Sequence, residues 1–171
     1  MSPLTATLQL DTSADWLWAL VTNFADYAAW NPLVPEIAGA PRLNAKLRVR
    51  IAPDGRRPLA LRARVLVAAR NRELRWQARS RLPRLLRLEH GWRIEQRAGL
   101  CRVHHSLRCE GWLAGERLTA SLVRSFEALN AALQARAADA ASAALLAQPI
   151  GTPTPPLVRA APPRVVALRA G

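Results

Sequence analysis

The sequence predicts an α+β domain: a curved antiparallel sheet of about seven strands wrapped around one long C-terminal helix, with two short helices between the first two strands. Two observations carry this. The apolar residues follow a helical period early in the chain, switch to a period of two at Lys46, and return to a helical period near Leu118. Within the middle stretch, Asp54-Gly55 and Arg70-Asn71-Arg72 supply the turn residues that divide alternating segments into hairpins.

Thr5 to Leu10 opens the chain as a strand. Thr12 and Asp15 then read as a capping box, the threonine oxygen taking an orphan backbone N–H of the first helix. Leu17, Leu20, Val21 and Phe24 recur at i, i+3, i+4 and i+7, an apolar stripe flanked by Trp16 and Trp18. Asn31-Pro32 ends the second short helix, because proline disfavours helical geometry in the residue before it. Trp30-Asn31-Pro32 therefore reads as a packed corner before any catalytic role.

From Lys46 the strands follow. Leu47, Val49 and Ile51 alternate with Arg48 and Arg50. Leu59, Leu61, Ala63, Val65 and Val67 are expected on one face, Arg62 and Arg64 on the other. Leu74, Trp76, Ala78 and Ser80 oppose Arg75, Arg79 and Arg81. After a break at Pro83, Leu86, Leu88, His90, Trp92 and Ile94 oppose Arg87, Arg93 and two glutamates. The last strand sets Cys101, Val103, His105, Leu107 and Cys109 against Arg102, His104, Ser106, Arg108 and Glu110. Such alternation describes an antiparallel sheet with one face covered and one wet. Residues 118 to 147 supply the cover, with Leu118, Leu122, Phe126, Leu129, Leu133, Ala137 and Ala140 on one helical face. Thirty residues at 1.5 Å each reach about 45 Å, enough to cross the sheet.

Several pieces, in this order, resemble the SRPBCC superfamily, the START, pollen-allergen and polyketide-cyclase group, and most of all its polyketide cyclase/dehydratase-like branch. They are the helix start Asp11 to Trp18, Asn23-Phe24 through Tyr27 to Trp30-Asn31-Pro32, Leu74-x-Trp76, Glu89-His90, the run His104, Glu110, Gly111, and Phe126-Glu127-x-x-Asn130-x-x-Leu133. Ser13 stands where proline is usual. The resemblance spans roughly residues 5 to 137. It implies the helix-grip fold and a ligand cavity where curved sheet and straight helix part.

Composition bounds the rest. The 171 residues suggest one domain, residues 1–147, and a Pro- and Arg-containing disordered tail, residues 148–171, which holds six prolines, three arginines and no acid. No apolar run approaches a membrane span, and Met1-Ser2-Pro3-Leu4 begins no signal peptide, so a cytoplasmic location is expected. Gly-rich phosphate loops, serine elbows and CxxC or HExxH spacings are absent from the sequence. No cofactor is expected. Nor is a metal, because Cys101, His105 and Cys109 fall four residues apart on one strand, about 13 Å between neighbours. The same spacing keeps Cys101 and Cys109 from forming a disulfide.

The net charge is +13, with 24 arginines and one lysine, and residues 42–108 hold nineteen of these cations against Asp54, Glu73, Glu89 and Glu95. Arg48, Arg50, Arg62, Arg64, Arg75, Arg79, Arg81, Arg87, Arg93, Arg102 and Arg108 are assigned to the wet sheet face. Such a face can keep the protein soluble or attract an anionic membrane surface. The lack of interleaved aromatic residues argues against nucleic acid.

On the covered face, Trp76, Trp92, Leu122, Phe126 and Leu129 are the expected apolar wall of a site for a small apolar or aromatic molecule. Ser80, His90, His105 and Asn130 are its polar groups. The expected function is binding or carrying such a ligand. A cyclase/dehydratase-like enzyme is the alternative, with His90 and His105 as its catalytic candidates. An interaction module using the basic face is a second alternative.

Overall fold

The computed structural model describes residues 3–82, 84–97 and 100–146. The expected tail, residues 148–171, lies outside the described residues. Strand β1 (Leu4–Leu10) is followed by helix α1 (Ala14–Thr22) and a 3₁₀ helix (Phe24–Ala29). Then come β2 (Glu36–Ala38), β3 (Lys46–Ile51), β4 (Leu59–Ala69), β5 (Glu73–Arg79), β6 (Arg87–Arg97), β7 (Leu100–Glu110) and helix α2 (Glu116–Leu146).

The seven strands form one antiparallel sheet in the order β1-β7-β6-β5-β4-β3-β2. Consecutive hairpins account for β2 to β7. The segment from α1 through the 3₁₀ helix carries the chain from β1 at one edge to β2 at the other. The arginines alternate outward and the apolar residues inward, and α2 covers the inner face. Its buried residues Leu118, Leu122, Phe126, Leu129, Leu133 and Ala137 follow the predicted stripe, whose last member, Ala140, is only half-buried.

Helix α1 begins differently from the capping box expected of Thr12. Ser13 is the N-cap: its backbone is extended (φ −91°, ψ 156°) and its Oγ accepts from Trp16 N at 3.1 Å. Asp15 instead accepts from Asn71 Nδ2 at 2.8 Å, and this bond, with Arg70 beside it, lowers its carboxyl below the usual range.

The corner after the 3₁₀ helix is packed as expected. Tyr27, fully buried, donates its hydroxyl to Val21 O at 2.6 Å and meets Phe24 and Trp30 edge-on. Asn31 Oδ1 accepts from Val34 N at 2.8 Å and turns the chain toward β2.

One sheet assignment needs correction. Val65 pairs with Trp76 but Val67 pairs with Arg75, so Leu66 forms a β-bulge. Beyond it the facing of β4 is inverted. Val67 lies in register with the outward Arg75, and Ala68, opposite the fully buried Leu74, takes the inner side. The extra residue also bends the strand and adds curvature to the sheet.

Candidate functional site

Strand register assembles the site. Trp76 on β5 lies opposite His90 on β6, and Trp92 on β6 lies opposite His105 on β7. His90 and His105 are therefore diagonal neighbours on the inner face, within reach of each other. Phe126 and Asn130 are four residues apart on α2, one turn along the face that looks onto these strands.

His105 lies between two parallel rings, with Trp92 stacked on one side (centroids 3.9 Å apart, planes 11°) and Phe126 on the other (4.2 Å, 17°). His90 meets Trp92 edge-on at 5.2 Å and Trp76 at 5.0 Å. Leu122 and Leu129 are fully buried beside Phe126 on the helix. Trp76, His90 and Trp92 are 0 % exposed and His105 is 1 % exposed, so these side chains themselves fill the space between sheet and helix at this level. Asn130 is 9 % and Phe126 5 % exposed, at the margin of the cluster.

A directed hydrogen-bond chain runs through it. Asn130 Oδ1 lies 2.6 Å from His105 Nδ1 and can only accept, so His105 carries its proton on Nδ1 and donates it. His105 Nε2 is then bare and accepts from His90 Nε2–H at 2.8 Å. His90 Nδ1 is left as a bare acceptor. It finds no partner among the described residues, and neither do the indole N–H groups of Trp76 and Trp92. Trp30 Nε1 and Asn31 Nδ2 at the corner are likewise unpartnered.

Burial disfavours the imidazolium form of both rings. It pushes His90 down to about 3. His105 is held well below its ordinary value by burial first and by His90 second, with the bond to Asn130 acting weakly in the opposite sense. Both rings are neutral at pH 7, as the chain of single donors and acceptors requires.

Of the nine residues singled out in the sequence, the structure gathers Trp76, His90, Trp92, His105, Leu122, Phe126, Leu129 and Asn130. Ser80 stands apart. It follows the end of β5, where its Oγ donates to Leu82 O (2.7 Å) and accepts from Leu86 N (3.2 Å), tying the β5–β6 turn. Ser125 on α2 went unpredicted. Its Oγ accepts from Asp54 N at 2.8 Å and donates to Ala52 O at 3.1 Å, fastening the helix to the β3–β4 hairpin. Only its place near an otherwise apolar helical stripe could have signalled this. Cys101 and Cys109 are buried free thiols, and burial raises both, Cys109 to about 11.

A family model described as polyketide cyclase/dehydrase and lipid transport matches residues 1–138. A comparison with curated proteins finds no sequence match. Among solved structures, a START superfamily protein from Mycobacterium smegmatis superposes with a TM-score of 0.62 at 19% identity, over 80% of this chain and 97% of that one. The di-domain ARO/CYC protein StfQ of the steffimycin biosynthetic pathway gives 0.64 at 10% identity, over 82% of this chain and 51% of that one. A major latex-like protein from Panax ginseng gives 0.61 at 9% identity, over 80% and 97%. At these identities the structures attest the fold, which is the helix grip. No described helix is long and apolar enough to cross a membrane. Eighty per cent of the chain thus follows one family pattern from first strand to last helix, and the protein belongs to the polyketide cyclase/dehydrase and lipid transport family within the SRPBCC superfamily.

Proposed function

We propose that the protein binds a small apolar or aromatic molecule between the sheet and α2, against His90 and His105. The observation that carries this is the set of unpartnered polar atoms in one aromatic cluster: His90 Nδ1, Trp76 Nε1 and Trp92 Nε1. A buried donor or acceptor left unmade costs about 1–3 kcal/mol. A bound hydroxyl or carbonyl would relieve that cost while its ring or chain replaces apolar contacts. The indoles ask for an acceptor and His90 Nδ1 for a donor, so a phenolic or enolic hydroxyl suits both. The family description and the ARO/CYC relative support a ligand of this character. Entry requires Phe126 and Asn130, the least buried edge of the cluster, to move with α2.

A second reading, a cyclase/dehydratase-like enzyme in the same place, draws on the 2.8 Å His90–His105 contact, which has the geometry of a proton relay. Its difficulty is basicity. A general base works best near the operating pH, and a buried His90 at about 3 is a poor one. Binding therefore ranks ahead of catalysis.

Two experiments test the reading. Mass spectrometry of the purified protein under native conditions should find a co-purifying small molecule with an aromatic or polyene absorbance. Titration with a neutral naphthol probe should show saturable binding that His90→Phe weakens about tenfold, the loss of roughly one buried hydrogen bond. Unchanged affinity in His90→Phe and His105→Phe would refute the site. Turnover of poly-β-keto substrates, abolished in the same variants, would favour the enzyme.

A further inference from the structure

We propose that the end of the sheet carrying the β5–β6 and β7–α2 turns docks on an anionic lipid bilayer surface. This stands apart from the ligand reading and rests on different residues.

Carboxylate partners are unevenly spread over the outer face of the sheet. Around β5, β6 and β7 several arginines have carboxylate partners: Arg75 with Glu73 and Glu89, Arg97 with Glu95, and Arg108 with Glu110, while Arg93 and Arg102 have none among the described residues. Toward β3 and β4 such pairs are sparser. There Arg50 reaches Glu36 at 3.7 Å, and among the described residues Arg48, Arg62, Arg64 and Arg81 have no ion pair.

Register then aligns four arginines directly across four adjacent strands. Arg48 lies opposite Arg62, Arg62 opposite Arg79, and Arg79 opposite Arg87. All four are exposed. Strands about 4.8 Å apart put the row at about 14 Å long. Like charges directly opposite destabilise a sheet, and among the described residues the row is offset only by Gln77, which accepts from Arg79, and Glu110, 3.9 Å from Arg87. Such a row is complementary to a surface of closely spaced phosphates.

Exposed apolar side chains adjoin the same row. Trp112 is 81 % exposed, Leu82 64 % and Leu113 46 %. Trp112 and Leu82 border one groove of about 480 Å³ together with Arg79, Arg84 and Arg87. The two turns that carry them are bound to each other, Trp112 N donating to Arg84 O and Leu113 N to Leu85 O. Gly111 makes this close approach possible. Its φ is +117°, and a Cβ there would meet Leu85 O at 2.6 Å and Arg84 O at 2.7 Å. The apolar tip is thus a built feature of this end.

Tryptophan and leucine flanked by arginine is the chemistry of the bilayer interface, where indole rings and aliphatic chains settle among headgroups that arginines neutralise. A nucleic acid would use the arginines and could stack a base on Trp112, but it has no use for exposed Leu82 and Leu113 beside them.

The test is sedimentation of the full chain with vesicles of phosphatidylcholine alone or with 30% phosphatidylglycerol. Binding is expected only with the anionic lipid, and it should vanish by about 0.5 M salt as screening shortens. Arg48→Glu with Arg62→Glu should weaken it at least about tenfold, and the milder Arg48→Gln with Arg62→Gln about fivefold or more. Trp112→Ser, at a solvent-exposed position, should weaken it and remove the fluorescence quenching produced by brominated acyl chains. Arg70→Glu with Arg72→Glu makes the same change in net charge at the opposite end of the sheet, in the β4–β5 turn, and should leave binding within twofold. Equal losses from the two charge-reversed pairs would mean that net charge alone attracts the protein and would overturn the proposal. So would the absence of vesicle binding, or tighter binding to duplex or single-stranded nucleic acid through the same arginines.

Discussion

Replacing Asn130 by alanine tests the polar chain at the heart of the inner face. In the native protein Asn130 Oδ1 is the acceptor of His105 Nδ1–H, at 2.6 Å, in a position where His105 is 1 % exposed. Asn130→Ala leaves that N–H buried and unmet, which costs about 1–3 kcal/mol. His105→Phe keeps a ring between Trp92 and Phe126 but removes the donor. In that background Asn130→Ala should cost less, because no N–H is orphaned. The coupling free energy of the double-mutant cycle, read from urea unfolding at pH 7, should be about 1–2 kcal/mol. A coupling within about 0.3 kcal/mol of zero would refute the directed chain, since additivity at that level describes residues that do not touch.

Acid should weaken the domain through the same rings. Burial depresses both histidines in the folded state, so below their unfolded value of about 6.5 the unfolded chain binds more protons, and stability falls as pH drops. The slope should reach at most about 1.4 kcal/mol per pH unit for each ring between pH 6 and 4, with a plateau above pH 7, and the double variant His90→Phe/His105→Phe should flatten it in urea titrations. Ser125→Ala orphans Asp54 N and should cost about 1–2 kcal/mol in the same assay, with faster hydrogen exchange in the β3–β4 hairpin. Tyr27→Phe removes the hydroxyl from Val21 O and should lower stability by about 1 kcal/mol, measured by thermal unfolding. Truncation after Ala147 should leave the melting temperature unchanged within a degree or two, because residues 148–171 carry no periodic apolar face with which to dock.

The fold was legible because most strands here are half-buried and write their phase into the sequence. In β7, Cys101 to Cys109 alternate with charged and polar residues without exception, and burial follows that alternation residue by residue. The stretch Val65-Leu66-Val67-Ala68-Ala69 is apolar at every position, so it carries no phase, and the bulge at Leu66 was invisible. Thr12 and Ser13 are adjacent hydroxyls, and the choice between them as cap depends on which one takes the extended backbone. Ser80 continues the alternation of β5 but falls just past the strand's last residue, where the chain turns and the side chain serves the turn. In the site, alternation was enough to put His90 and His105 on one face with Trp76 and Trp92. It could not give their contact, which depends on cross-strand register: Trp92 opposite His105 brings the two imidazoles together on the diagonal. The Arg48–Arg62–Arg79–Arg87 row was hidden for the same reason.

The most direct test of the ligand account is a ¹H–¹⁵N titration that resolves the six tryptophan indole N–H signals as a neutral naphthol is added. If the molecule binds between the sheet and α2, the Trp76 and Trp92 signals should move downfield and saturate together, with the His90 and His105 ring nitrogens shifting in step. Exposed Trp112 should stay where it was. Shifts confined to Trp112, or none that saturate, would contradict a ligand site at the buried histidine pair.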